Sequence, residues 1–232
     1  MMLSNDYDSE NLSFECRVNL WRRATSADSL KKLNPGLCDG LKKMQLFAHA
    51  SFPQIHKDAP RLFTLDHKRK NEVTDKHVKQ LIVSMLINYT KRNSTVEFLQ
   101  SQGVYASLIA QACHYGNVTD QEETAFWIYS CIVEEIQPIG FYQFSIEPLL
   151  LQAVFNRLFE ILDPLMYSIW KDIPSVVLVR YFMSLFVDMK RISIGLALFD
   201  LIILLGSNCL TSTIYNPEQV PVNTDRPFCR TV

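Results

Sequence analysis

VKQLIVSMLINY, residues Val78–Tyr89, decides the fold class. Val78, Leu81, Ile82, Met85, Leu86 and Tyr89 recur at the i, i+3, i+4 spacing that lines up side chains on one buried face of an α-helix. Lys79 and Asn88 fall on the opposite side, and Thr74 stands where an N-cap is expected.

The same rhythm continues downstream. Thr119 and Asp120 each precede an acid by three residues (Glu122 and Glu123), the pattern of a capping box, so a helix should start there. Ala125, Phe126, Tyr129, Ile132, Val133 and Ile136 form its face, and Trp127 with Ile128 widens the apolar sector, which predicts a central helix ended by Pro138 and Gly140. A third helix is expected from Glu147 to Leu162 with Leu151, Val154, Phe155, Leu158 and Leu162 inward. Asp163-Pro164 then supplies a cap followed by proline at the first helical position. Ile173-Pro174 repeats the device before a helix over Val176–Phe186, and Ile192–Leu205 is a last apolar helix closed by Gly206. The fold class that follows is all-α. The polar, proline-containing stretch 207–232 has no period and reads as a disordered tail.

Composition narrows the function classes. A length of 232 residues allows one large domain or two packed lobes. With a formal net charge of −1, no basic surface for nucleic acid is indicated. Cys16, Cys38, Cys113, Cys131, Cys209 and Cys229 form no CxxC pair, and their wide spacing is unlike a disulfide scaffold. The polar start, MMLSNDYDSENL, carries no secretory h-region, and Ile192–Leu205 is too short to span a membrane and contains Asp200. A reducing, cytoplasmic location is the simplest expectation. The five histidines His49, His56, His67, His77 and His114 make no metal-binding pair, no GxSxG elbow is present, and no GxxxxGK[ST] loop marks the chain as a nucleotide-binding NTPase.

Chemistry is carried instead by a series of spaced motifs. Ile55-His56-Lys57-Asp58-Ala59-Pro60-Arg61 fits IxxDxxR. Gln102-Gly103 in LQSQGVYASLIA resembles YxQGM, and Glu123-Thr124-Ala125-Phe126-Trp127 resembles EAFW. Arg17 and Trp21 lie upstream in CRVNLWRR; Tyr181–Phe186 and then Phe199-Asp200 with Gly206 lie downstream, similar to WFLTLF and WD…EG. In this order, over roughly residues 12–206, they resemble the TBC domain family of Rab GTPase activators.

That resemblance implies a two-lobed helical domain over 12–206 that works on a partner. The partner would be a GTP-bound Rab-type small GTPase holding its own magnesium, so the chain itself needs no cofactor or metal. Arg61 would enter the partner's nucleotide site as an arginine finger, stabilising charge that develops in phosphoryl transfer. Gln102 would act as a glutamine finger orienting the attacking water. Asp58, one helical turn before Arg61, would hold the guanidinium through a charge-assisted hydrogen bond. Membrane contact would be at most peripheral, on the endomembranes of vesicle trafficking.

Each of these residues has a plainer reading. An Asp and an Arg three apart are usually a solvated helix pair. Gln102 alone would be an ordinary helix-start glutamine; Trp21, Trp127, Phe126, Phe182 and Phe199 read as core whatever the function. Asp200 within an apolar helix needs a partner or a surface, and structural hydrogen bonding is its plainer role over catalysis. Lys68, Arg69 and Lys70 make a short basic cluster, suited to a solvated loop, to the acidic face of a GTPase or to a membrane headgroup. The motifs also depart from the family: Gln100 replaces the tyrosine of YxQ, and Tyr181 and Phe199 replace tryptophans. An active GTPase activator and a catalytically inactive module that binds a GTPase or scaffold partner both stay open, as do a complete and a truncated C-terminal lobe.

Overall fold

The computed structural model describes residues 12–44, 49–62, 72–137, 141–142, 153, 156–157, 160–172, 175–189 and 191–206. All secondary structure among them is helical. The helices are α1 (Phe14–Ala24), α2 (Ala27–Leu33), α3 (Leu37–Lys43) and α4 (Ser51–Asp58), which runs into a 3-10 turn (Ala59–Arg61). Then come α5 (Glu72–Arg92), α6 (Gln100–Tyr115) and α7 (Gln121–Cys131), which ends in a π turn (Ile132–Ile136). The late helices are α8 (Pro164–Trp170), α9 (Ser175–Met183) and α10 (Ile192–Leu205).

Helices α5, α6 and α7 pack on one another as the centre of the first lobe, with α1, α2, α3 and α4 around them. The apolar face expected of α5 is buried in full: Val78, Leu81, Ile82, Met85, Leu86 and Tyr89 all lie in the core. Two expectations for α5 need correction. The helix starts at Glu72, so Thr74 falls inside its first turn and not at its cap. Asn88 is buried, because α3 covers the flank that periodicity left to solvent, and its amide points at the Cys38 thiol (Nδ2–Sγ 3.8 Å).

Helix α7 is the central element that its wide apolar sector predicted, buried continuously from Thr124 to Cys131. Asp120 holds the N-cap position but in a left-handed conformation (φ 52°), and its carboxylate does not cap. It pairs with Lys31 of α2 (3.3 Å), which also meets Glu123 (3.0 Å), while Glu122 meets Lys42 of α3 (2.7 Å). The acids that suggested a capping box therefore tie two earlier helices to the start of α7. At the other end, Arg92 pairs with Glu134 and lies 5.1 Å above the Trp127 ring.

The second group of helices reaches this core through α9 on α6 and through α10 on α1 and the π turn. Helix α10 has the expected bounds, closed by Gly206 at φ 63°. Asp200 finds its partners on α1: Trp21 Nε1 donates to one carboxylate oxygen at 2.8 Å, and the Arg17 guanidinium donates to the other. The Trp21 indole also meets the Phe199 ring edge-on at 5.3 Å. Arg17 and Asp200 are both buried, as a charge pair must be hydrogen-bonded to tolerate.

Two further expectations are corrected. The helix anticipated over Val176–Phe186 stops at Met183, where Leu185 (φ 51°) and Phe186 (φ 63°) turn left-handed and the Phe186 N–H closes onto the Tyr181 carbonyl. Gly195 of α10 permits this turn to sit against the helix, since a Cβ there would stand 2.8 Å from the Phe186 carbonyl oxygen. Leu162, expected inward, is 76% exposed, because no described helix makes an extensive contact with the neighbouring α8. Leu151, Val154, Phe155, Leu158, Lys68–Lys70, Pro138, Gly140, Ile173-Pro174 and 207–232 lie outside the described residues.

Candidate functional site

Arg61 is placed by a short, stiff piece of chain. Pro60 sits in the 3-10 turn that ends α4, and the Leu62 N–H returns to the Ala59 carbonyl at 3.3 Å. The polypeptide leaves the helix there, so Arg61 projects outward and is exposed. Leu62 turns inward, and its δ-carbons fill the space beside Gly103 on α6. A Cβ on Gly103 would stand 2.6 Å from Leu62 Cδ2, so a larger residue there would make the Leu62 side chain move. The pairing QG in the sequence thus gains a physical meaning, since the glycine lets the turn bearing Arg61 dock onto the start of α6.

The start of α6 is itself tied down. Ser51, at the beginning of α4, accepts the Phe98 N–H at 3.0 Å. Gln102 folds back as the third helical residue: its Oε1 accepts the Leu99 N–H at 3.2 Å, and its Nε2 donates to the Glu97 carbonyl at 3.1 Å. Only 1% of Gln102 is exposed, so its carboxamide serves the helix end and does not face solvent. Such a cap satisfies a backbone donor that the first turn cannot satisfy internally.

A groove of about 450 Å³ opens beside Arg61. Arg61, Leu62, Gln100, Ser101 and Val104 line one side; Arg180, Ser184 and Asp188, from α9 and the turn after it, line the other. Arg180 is paired with Asp188 across that turn. The groove therefore offers the exposed Arg61 guanidinium, the Gln100 carboxamide and the Ser101 hydroxyl, beside an Arg180 guanidinium already engaged by Asp188; Ser184 is buried and its hydroxyl donates to the Tyr181 carbonyl at 3.2 Å. That donor set suits an anionic, oxygen-rich group such as a phosphate. Among the described residues no cluster of His, Cys, Asp or Glu could hold a metal ion.

The three residues singled out by motif are close in the fold but not equivalent. Arg61 lines the groove. Gln102 lies two residues beyond Gln100 at the groove's edge, with its amide turned into the protein. Asp58 is buried, and its carboxylate accepts from Gln54 Nε2 at 2.6 Å. The hydrogen bond to Arg61 that its spacing anticipated is not among those formed by the described residues, and the arginine is instead positioned through Leu62 and Gly103. Gln100, Arg180 and Asp188 were not singled out from sequence. Gln100 stood out only as a departure from YxQ, and nothing in the motifs marks Arg180 or Asp188.

Comparison with known proteins agrees with this architecture. Residues 14–215 match the Rab-GTPase-TBC domain, and the chain belongs to that family. It is similar to the growth hormone-regulated TBC protein 1-A of Danio rerio, at 22% identity over 207 residues. That match covers 88% of this chain and 56% of the relative, so the chain spans about half of the relative's length. Its fold is similar to the crystal structure of the Chlamydomonas flagellar RabGAP TBC domain, with a TM-score of 0.62 at 17% identity. There the likeness covers 90% of this chain and 70% of the other.

Proposed function

We propose that residues 12–206 form a GTPase-activating domain that docks on a GTP-loaded Rab-type small GTPase and speeds its hydrolysis through Arg61. One observation carries this reading: Arg61 is an exposed guanidinium on the rim of a donor-rich groove, on a turn fixed to the neighbouring helix by Leu62 and Gly103. Family membership supplies the class of partner. The partner brings nucleotide and magnesium. An arginine inserted in trans stabilises the charge spreading over the transferred phosphoryl group, an effect worth about 10³–10⁵ in rate. Lysine would be a weaker substitute, lacking the planar fork of donors.

By resemblance to the family, Gln102 would be the second finger. For Gln102 to orient water, both of its cap hydrogen bonds must be exchanged for contacts with the partner as the two proteins dock. Asp58 acts at one remove, by fixing the last turn of α4 through Gln54. No helix among the described residues is long and apolar enough to cross a membrane. The site is proposed to work from the cytoplasm, with at most peripheral attachment to endomembranes, in vesicle trafficking.

The test is phosphate release from a panel of GTP-loaded Rab GTPases. Wild type should accelerate at least one, Arg61→Lys should retain little of that effect and Arg61→Ala none. Full activity of Arg61→Ala would remove the arginine finger. The engagement of the Gln102 amide in a cap favours a second reading, a module that binds the GTPase without catalysis. Tight binding to the GTP form with no acceleration by wild type would decide for it.

A further inference from the structure

We propose that Arg180 is a recognition residue for the docked GTPase. Held in place by Asp188, its guanidinium donates to a main-chain carbonyl of a partner loop and sets affinity, not the rate of hydrolysis. This rests on the reading that a GTPase docks at the Arg61 groove, and it holds for a catalytic and for a purely binding domain alike.

Arg180 stands across the groove from Arg61, with 69% of its side chain exposed. Its Nε donates to Asp188 Oδ2, and Nη2 lies against the same oxygen. Among the described residues the Nη1 end of the fork makes no hydrogen bond. An exposed ion pair of this kind adds little to stability, so stability does not explain the backbone built around it. Asp188 returns to Arg180 because the chain turns left-handed at Leu185 and Phe186, a conformation that bulky L-residues avoid. The turn is anchored from within. Leu185 and Val187 are buried, the Tyr142 hydroxyl donates to the Met183 carbonyl at 3.1 Å, and the Phe186 carbonyl packs on Gly195. Backbone strain persists where its surroundings impose it, and it gathers at binding sites. What this turn fixes is the direction of one arginine.

The pairing also decides what Arg180 can meet. A free arginine loses rotamer freedom when it binds, whereas one held by a carboxylate has lost it beforehand. As a unit the pair is neutral, so it adds little field at the groove and is poorly suited to a phosphate. An anion brought to Nη1 would also be repelled by the Asp188 carboxylate. A neutral carbonyl oxygen meets neither obstacle, and the planar fork presents the Nη1 donors to it in a fixed direction. Loops leave main-chain carbonyls outside regular ladders, so such a contact reads the path of a partner loop and not its charge. Two GTPases whose loops run differently beside the nucleotide would be told apart.

The experiment titrates the full chain against Rab GTPases loaded with a non-hydrolysable GTP analogue, at low and high salt. Wild type is compared with Arg180→Ala, Arg180→Lys, Asp188→Asn and the Arg180→Ala/Asp188→Asn double variant, with thermal melts of each. Arg180→Ala should weaken binding about tenfold, the size of a hydrogen bond to a charged group, and equally at both salts. Arg180→Lys, without the fork, should recover little of that loss. Asp188→Asn should weaken binding about threefold through lost preorganisation. It should add nothing in the Arg180→Ala background, and melting temperatures should not move. In phosphate release, Arg180→Ala should raise the activator concentration for half-maximal rate and leave the saturating rate in place. The proposal is overturned if Arg180→Ala binds like wild type or if its loss vanishes at high salt. Tighter binding by Asp188→Asn also overturns it, since the carboxylate would then be masking the arginine from an anion. So does a lowered saturating rate in Arg180→Ala with affinity intact. Wild type that binds a GTPase without accelerating it would sink catalysis through Arg61, while the binding comparison still decides on Arg180. Wild type that binds none overturns both.

Discussion

The Cδ2 of Leu62 stands 2.6 Å from the point that a Cβ on Gly103 would occupy. Position 103 and the turn carrying Arg61 are therefore one mechanical unit. Gly103→Ala should push Leu62 aside. The crowding costs about 1–3 kcal/mol, offset by up to about 1 kcal/mol of gained helix propensity. Loss of GTPase acceleration should exceed what the small change in stability explains. Adding Leu62→Ala should make the double variant less than additive in a denaturation cycle. Strict additivity would mean that the two residues do not share the space.

Arg17 and Asp200 make a buried pair, so removing the carboxylate takes away the charge that balances the Arg17 guanidinium. Asp200→Ala should destabilise the protein by about 3–5 kcal/mol, read from the urea midpoint. Replacing both, as Arg17→Met with Asp200→Leu, should recover much of that loss, since an apolar pair leaves no charge unpaired. A double variant weaker than either single one would refute this account.

Gly195 meets backbone, not a flexible side-chain end. A methyl there would lie 2.8 Å from the Phe186 carbonyl oxygen and 3.3 Å from that of Val187. Gly195→Ala should cost more than Gly103→Ala, on the order of 2–3 kcal/mol. Because Ser184 and Asp188 belong to the same turn and line the groove, partner binding should weaken as well. Thermal melts and binding titrations of the two glycine variants side by side test the ranking.

Burial raises the Cys38 thiol to about 11 and the Cys113 thiol to about 12, and pushes Cys131 up too, in each case chiefly by desolvation of the thiolate. Cys16 is exposed. Iodoacetamide at pH 8 should alkylate Cys16 readily and spare these three until denaturant is added, as peptide mass spectrometry would report. The sign of the pH effect follows. Above about pH 9 the unfolded chain loses these protons while the folded one keeps them, so stability falls as pH rises towards 11–12, by up to about 1.4 kcal/mol per unit per thiol. Urea midpoints at pH 8 and pH 10 measure it.

Legibility in the sequence depended on whether a feature is local. The bounds of α10 were readable because an uninterrupted apolar run meets a glycine. That Asp200 needs either a partner or a surface was readable, but which of the two, and that the partner is on α1, required two segments far apart in the chain to meet. Asn88 was misjudged because a period describes one helix, whereas burial depends on how many neighbours surround it. The early end of α9 had no signal, since Leu185 and Phe186 are unusual residues for a left-handed turn. At the site, a motif could mark Arg61 and the glutamine-containing start of α6. It could not fix the phase of that helix, and a shift of two residues decides which amide faces outward.

The contact between α1 and α10 also bears on how the chain is made. Arg17 leaves the ribosome early, yet the carboxylate that neutralises it follows 183 residues later. Until then, burying α1 would enclose the Arg17 guanidinium and the Trp21 indole N–H without the carboxylate that both donate to in the finished fold. Full docking of the first helix is thus tied to the last described helix, and a nascent chain stalled before position 200 is expected to hold α1 less firmly than the finished protein does.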